Sequence, residues 1–415
     1  MRDELIDALE RLETGDRELH AFLPEPHRRQ RVLADADKVA DQFDDAEPAD
    51  LLGVLVGVKD VINVDDLPTR AGSELPATLF EGPEATIVRR LRGAGALIAG
   101  KTTTTELAFT EPSPTRNPRD LGRTPGGSSS GSAAAVAAGL VPMALGTQTV
   151  DSIVTPAAYC GVVGFKPTYQ RIPLDGVIPF SPSMDHGGLF TTDVATARVA
   201  ASVVCDDWDV SSPESEPVLG IPAADYIQRG QSLAVEAFYA VIQFLRSKGV
   251  AVVETSALTN IETIYVAHRR LVAAEFTQVH ADWFSQYGDR YRPRTASLYA
   301  EGAALSASAV TEGRESGDNL LRSLEDTMQR EGIAAWVSPS ATGVAPLGLD
   351  YIGDPIMGVP WTHAHLPVVT LPVFPSPESL PLGIQLTGRL DGDEELLGLA
   401  EVVEMVLEPK SLRPI

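Results

Sequence analysis

From Leu51 to Val58 the chain reads Leu-Leu-Gly-Val-Leu-Val-Gly-Val, apolar or glycine at every position. A strand with one wet face alternates apolar and polar residues, so an unbroken run describes a strand covered on both faces. Such a strand needs helices above and below it, and the neighbouring sequence supplies them. Residues 3–12 and 27–43 carry helical patterning with many charges, 85–92 is amphipathic, and Ala133–Ala138 is a run of small helix formers. Ala96–Ala99, Met143–Leu145 and Gly161–Phe165 read as short strands, and Thr102 onward as the start of a further helix. Strands and helices alternating at this spacing indicate an α/β sheet protein.

The middle of the chain changes character. A helix is expected over Ser232–Lys248, a strand at Val250–Val253, and helices through 262–330. Strand patterning returns at Ala334–Val337, Val368–Leu371 and Leu382–Leu386, before a last helix over Asp393–Val406. No flexible linker or repeat separates these parts. The expectation is one large domain over 1–415. Residues 1–50 form an N-terminal helical wrap, 51–200 the core, 206–330 a helical insertion, and 331–415 the C-terminal part of the core.

Charge narrows the partners. With 57 acidic against 33 basic residues the formal charge is −24, which repels nucleic acid and anionic membrane surfaces. Cys160 and Cys205 are the only cysteines, too few for a disulfide framework, as in a reducing compartment. The first residues lack the pattern of a secretion signal and no apolar stretch has bilayer-spanning length, so a cytoplasmic location is expected.

Three segments carry chemistry-bearing residues. Gly126-Gly127-Ser128-Ser129-Ser130-Gly131-Ser132 has the composition of a linker, but it runs straight into the Ala-rich helix, where a linker has no purpose. A phosphate-cradling loop is a second reading, although the run lacks the Gly-Lys-Ser/Thr ending. That ending occurs in Gly95-Ala96-Leu97-Ile98-Ala99-Gly100-Lys101-Thr102, a formal match to a nucleotide-binding loop. There the expected strand occupies the middle of the motif, where a phosphate loop needs exposed backbone. Lys59, at the end of the apolar run, reads alone as a salt-bridged residue with Asp60 adjacent. Beside apolar neighbours its pKa should instead fall, and a neutral amine can serve as base to a serine nucleophile. His186, His363 and His365 are expected in Pro/Gly-rich loops without Ser or Asp spacing around them. Thr362-His363-Ala364-His365 lacks a third metal ligand at matching spacing.

Gly57-Val58-Lys59-Asp60, Thr124 through Ala133, and Gly146-Thr147-Gln148-Thr149 with Ser152 together resemble the amidase signature family. Pro156–Thr168, Gly176–Ser183, Gly358–Thr362 and Leu382–Gln385 extend the likeness in order. The Gly-Thr-Gln-Thr form and Lys101-Thr102-Thr103-Thr104-Thr105 look most like its malonamidase branch. The resemblance implies a single large domain with a mixed central sheet covered by helices on both faces, often a homodimer. It implies hydrolysis of a small amide without metal or cofactor. Lys59 would be the base, Ser128 a bridging serine in a cis peptide with Gly127, and Ser152 the nucleophile. Backbone N–H groups of Thr149, Val150, Asp151 and Ser152 would hold the oxyanion, with Ser129, Asp151 and Thr155 at the substrate. The alternatives are an A-type member of an amidotransferase complex, and a noncatalytic member using the cleft for binding.

Two residues depart from the family pattern. Val150-Asp151 stands where Gly-Gly or Ala-Gly usually precedes the nucleophile. Pointing inward, a carboxylate there opposes an oxyanion and favours protonated Lys59; at about 4 Å two charges interact by roughly 1 to 4 kcal/mol. Pointing outward, it does little. Thr155 replaces the arginine that receives a substrate carboxylate in the malonamidase-like branch. The expected shift is toward neutral or cationic amides, the latter pairing with Asp151.

Overall fold

The computed structural model describes residues 2–43, 49–209, 217–374 and 380–407. Residues 44–48 of the expected wrap, 210–216 of the expected insertion, and 375–379 and 408–415 of the C-terminal part lie outside them. The apolar run yields β1 (Leu55–Lys59), buried at every position, flanked in parallel by β2 (Leu97–Thr102) and β3 (Met143–Gln148). Beyond β3 the sheet continues through β5 (His186–Thr191), β4 (Val163–Lys166), β9 (Val368–Val373), β10 (Leu382–Thr387) and β8 (Ala335–Pro339). Each of these is antiparallel to the strand before it. Parallel strands β6 (Val218–Ile221) and β7 (Ala251–Glu254) complete a ten-stranded mixed sheet. The segment expected as a helical insertion therefore supplies, besides the strand expected at Val250–Val253 (edge strand β7), the inner strand β6.

Alternation along β1 divides the core. Leu55 packs into an apolar layer with α1 (Arg2–Leu19), α2 (Arg28–Phe43) and α4 (Ser130–Ala137). Val56 and Val58 point the other way, into the layer that holds α3 (Thr86–Gly93), α6 (Val194–Val204) and α14 (Asp393–Leu407). By the same period Lys59 shares the face of Leu55, toward α4. The remaining helices are α5 (Val154–Cys160), α7 (Ala224–Ile227), α8 (Ser232–Ser247), α9 (Ile261–Val279), α10 (Ala281–Tyr287), α11 (Pro293–Ala303), α12 (Ala309–Glu331) and α13 (Val359–His363). Among these, α9 packs against α11, α12 and α13. No described helix is long and apolar enough to cross a membrane.

Two local expectations are corrected. Thr102 closes β2 instead of opening a helix, and only a short turn, Glu106–Ala108, follows. Four successive threonines are stiff at χ1 and disfavour a helix start. Leu51 to Gly53 form a turn, with Gly53 at φ 75°, so β1 begins at Leu55. The formal nucleotide-loop match lies largely inside buried β2, and Lys101 Nζ sits 3.0 Å from Asp60 and 2.9 Å from Thr69 Oγ1. Asp60 thus pairs with Lys101, not with its neighbour Lys59.

Candidate active site

The C-terminal ends of β1 and β3 lie at one edge of the sheet, where open α/β sheets place their sites. The Gly-Ser loop enters there, with a cis peptide bond between Gly127 and Ser128, and passes into α4. Lys59 is fully buried, and its Nζ lies 2.7 Å from Ser128 Oγ and 2.8 Å from Thr147 Oγ1. Burial drives its pKa well below the usual lysine range, against the pull of the Asp185 carboxylate. A buried lysine among hydroxyls, with no ion-pair partner among the described residues, has a lone pair to offer.

Ser152 is half-buried on the wall of a cleft of about 450 Å³. Thr149, Val150, Asp151 and Thr155 line the same cleft, with Gly127, Phe180, Tyr265 and His268. Ser129 is not on this wall: it is buried and donates its hydroxyl to the Thr147 carbonyl at 3.2 Å. The loop after β3 is held by Gln148, whose Oε1 accepts from the N–H groups of Ile153 and Val154 at 2.8 and 3.1 Å. Gln148 Nε2 donates to Thr362 Oγ1 at 2.9 Å, and Thr362 in turn donates to the Val150 carbonyl at 2.8 Å. Among the described residues no protein group accepts from the N–H groups of residues 149–152. They remain free to donate to an oxygen in the cleft.

The two departures from the family pattern meet each other. Thr155 donates its hydroxyl to Asp151 Oδ2, and Asp151 Oδ1 is buried against Gly358, where an added Cβ would lie 2.0 Å away. Glycine at 358 is what makes room for the carboxyl. Burial, reinforced by Asp354, raises the Asp151 pKa well above the carboxylate range, so the neutral acid is favoured. The side chain is turned into the wall and not aimed at an oxyanion.

Several contributors had no motif to betray them. Asp185 accepts from Thr149 Oγ1 at 2.5 Å and from the N–H groups of Phe180 and Ser181 at 2.8 and 3.0 Å. Its pKa is pushed up to about 6 by burial. Against the expectation of loops, His186 opens β5 and His363 closes buried α13 with Thr362, beside the loop; His365 turns away, to the Ser183 carbonyl at 2.9 Å. Thr362 closes the Gly358–Thr362 segment of the family resemblance, and His363 was visible only as part of an incomplete set of metal ligands.

A profile of the family described as Amidase matches residues 5–329. The chain belongs to the amidase family. It is 30% identical to the A subunit of glutamyl-tRNA(Gln) amidotransferase from Koribacter versatilis, over 96% of this chain and 93% of that protein. Among solved structures, an amidase crystal structure matches with a TM-score of 0.86 and 31% identity, covering 97% of this chain and 95% of the other. The native peptide amidase from Stenotrophomonas maltophilia follows with a TM-score of 0.83 and 26% identity, over 98% and 93%. As an amidase-family protein the chain is thus alike in fold and length both to hydrolases and to one component of an amidotransferase.

Proposed function

We propose that this protein hydrolyses small uncharged amides through an acyl-enzyme on Ser152. Neutral Lys59 takes the Ser128 hydroxyl proton while Ser128 takes that of Ser152, and Ser152 Oγ forms a bond to the amide carbon. The carbonyl oxygen becomes an oxyanion facing the free N–H groups of residues 149–152. Collapse of the adduct breaks the C–N bond as the proton returns through Ser128 to the leaving nitrogen. Water then attacks the ester by the same route, releasing the acid. The observation that carries this reading is the buried Lys59, 2.7 Å from Ser128 Oγ and without a carboxylate partner among the described residues.

A fluorophosphonate tests it, because phosphonylation needs the same nucleophile, base and oxyanion donors. Labelling mapped to Ser152 is the expected result; folded protein without label at Ser152 supports the binding-only alternative. The label rate should fall as pH drops through the lowered pKa of Lys59, because only the neutral amine accepts a proton. Ionised Asp185 favours protonated Lys59. Asp185→Asn should therefore move this acid limb to lower pH, and an unmoved limb would remove Asp185 from the account.

With Asp151 packed against Gly358 and Thr155, position 155 offers no cation to a substrate carboxylate, and Asp354 lines the same cleft. Neutral amides should be turned over at least about tenfold faster than carboxylate-bearing analogues. Asp151→Asn should change the rate on neutral amides by less than about threefold. Arg294 lines the same cleft with its guanidinium on the Thr110 carbonyl at 3.0 Å. A preference for anionic amides would overturn this substrate reading and move acyl binding to Arg294.

The likeness to amidotransferase A subunits favours a second reading, one component of a larger enzyme. Native-mass measurement of the protein purified from its own cells separates the two: stable unlike subunits support the amidotransferase, a lone chain or homodimer the hydrolase.

A further inference from the structure

The loop of residues 149–152, whose N–H groups have no acceptor among the described residues, is gripped at two carbonyls. Thr362 holds that of Val150, and His268 Nε2, on α9, lies 3.1 Å from that of Thr149. A carbonyl can only accept, so His268 carries its hydrogen on Nε2. Burial keeps both His268 and His363 neutral, lowering the latter to about 4. His268 Nδ1 is then an acceptor, and it faces His363 Nδ1 at 3.2 Å, which must be the donor. That leaves His363 Nε2 to accept from Ser316 Oγ, at 3.1 Å, on the half-buried side of α12. One chain of donors, Ser316 to His363 to His268 to Thr149, assigns every tautomer without ambiguity. Its outer end depends on close approach: a Cβ at Gly317 would lie 2.6 Å from the His363 carbonyl oxygen.

In a trans peptide the N–H points opposite to the C=O. Drawing the Thr149 carbonyl toward His268 therefore turns the Val150 N–H the other way, and Thr362 does the same for Asp151. We infer that His268 is a positioning residue that orients the oxyanion-binding loop through the Thr149 carbonyl, held in its Nε2–H tautomer by His363 and Ser316. The inference rests on the proposed role of Ser152 and its neighbouring N–H groups.

The test uses the rate of fluorophosphonate labelling at Ser152 in the full chain, together with thermal melting. Loss of one oxyanion donor typically lowers rates about 10²- to 10³-fold. His268→Phe, which fills the space but cannot donate, should slow labelling by about 10- to 100-fold. His268→Gln, which restores a donor near the Nε2 position, should recover the rate to within about threefold of wild type. A purely packing role predicts the reverse order, with Phe tolerated and Gln not. Folded His268→Phe that labels within about threefold of wild type overturns the inference. Nitrogen-15 NMR of the wild-type imidazoles gives a readout independent of any variant: Nε2–H on His268 and Nδ1–H on His363 are expected, and Nδ1–H on His268 overturns it. Absence of label on wild-type Ser152 instead counts against the nucleophile, leaving the NMR tautomers to decide the loop contact.

Discussion

Ser152→Ala is expected to lower amide hydrolysis by about 10⁴- to 10⁶-fold, the range seen when a serine nucleophile is removed from an acyl-transfer site. The half-buried side chain lies on the cleft wall and its hydroxyl has no hydrogen-bond partner among the described residues, so the melting temperature should hardly move. The same variant separates catalysis from binding. An amide ligand that still binds while turnover disappears identifies Ser152 as the nucleophile. Residual turnover within about tenfold of wild type would sink that assignment and favour a cleft used for binding. Mass spectrometry of trapped acyl-enzyme, present in wild type and absent in the variant, gives a second reading of the same step.

Lys59→Met should be less damaging but still severe, with a loss of about 10²- to 10⁴-fold, the usual contribution of a general base. Methionine keeps much of the length and fills the buried space, so the fold should persist. Two opposing terms act on stability. Ser128 Oγ and Thr147 Oγ1 lose the Lys59 contacts at 2.7 and 2.8 Å, and a buried polar group left unpaired costs about 1 to 3 kcal/mol. Against this, an amine no longer has to be taken out of water, the effect that already lowers its pKa. A melting temperature within a few degrees of wild type, with labelling of Ser152 suppressed, is the expected pair of results. Unchanged labelling would remove Lys59 as the base; a collapsed fold would make its role structural.

Much of the sheet was legible because burial leaves a mark on composition. β1, β2, β3, β8, β9 and β10 all fall on apolar runs, and the helix over Ala133–Ala138 follows from alanine itself. β5 was not legible: His186-Gly187-Gly188-Leu189-Phe190-Thr191 has two glycines and no alternation, and it becomes a strand because β3 and β4 pair with it on either side. Lys59 and Ser128 stood out by their strand-end and Gly-rich segments, and Ser152 through the family resemblance around Gly146-Thr147-Gln148-Thr149. Asp185 and His268 did not, since neither lies in a motif and His268 meets Thr149 across 119 positions of chain. The direction of Asp151 was equally hidden, because it depends on a glycine at 358 and a hydroxyl at 155.

Sequence alone determined the class of fold, the family likeness and which residues to propose as nucleophile and base, because apolar runs and local motifs are properties of neighbouring residues. Tertiary structure decided the surroundings of those residues and how the loop beside them is held. Lys59 is stripped of water by α4 and the sheet, Asp151 is turned into the wall by Gly358, and the Thr149 carbonyl is drawn aside by His268. Each is a contact between distant segments, and desolvation and hydrogen-bond direction exist only once those segments pack.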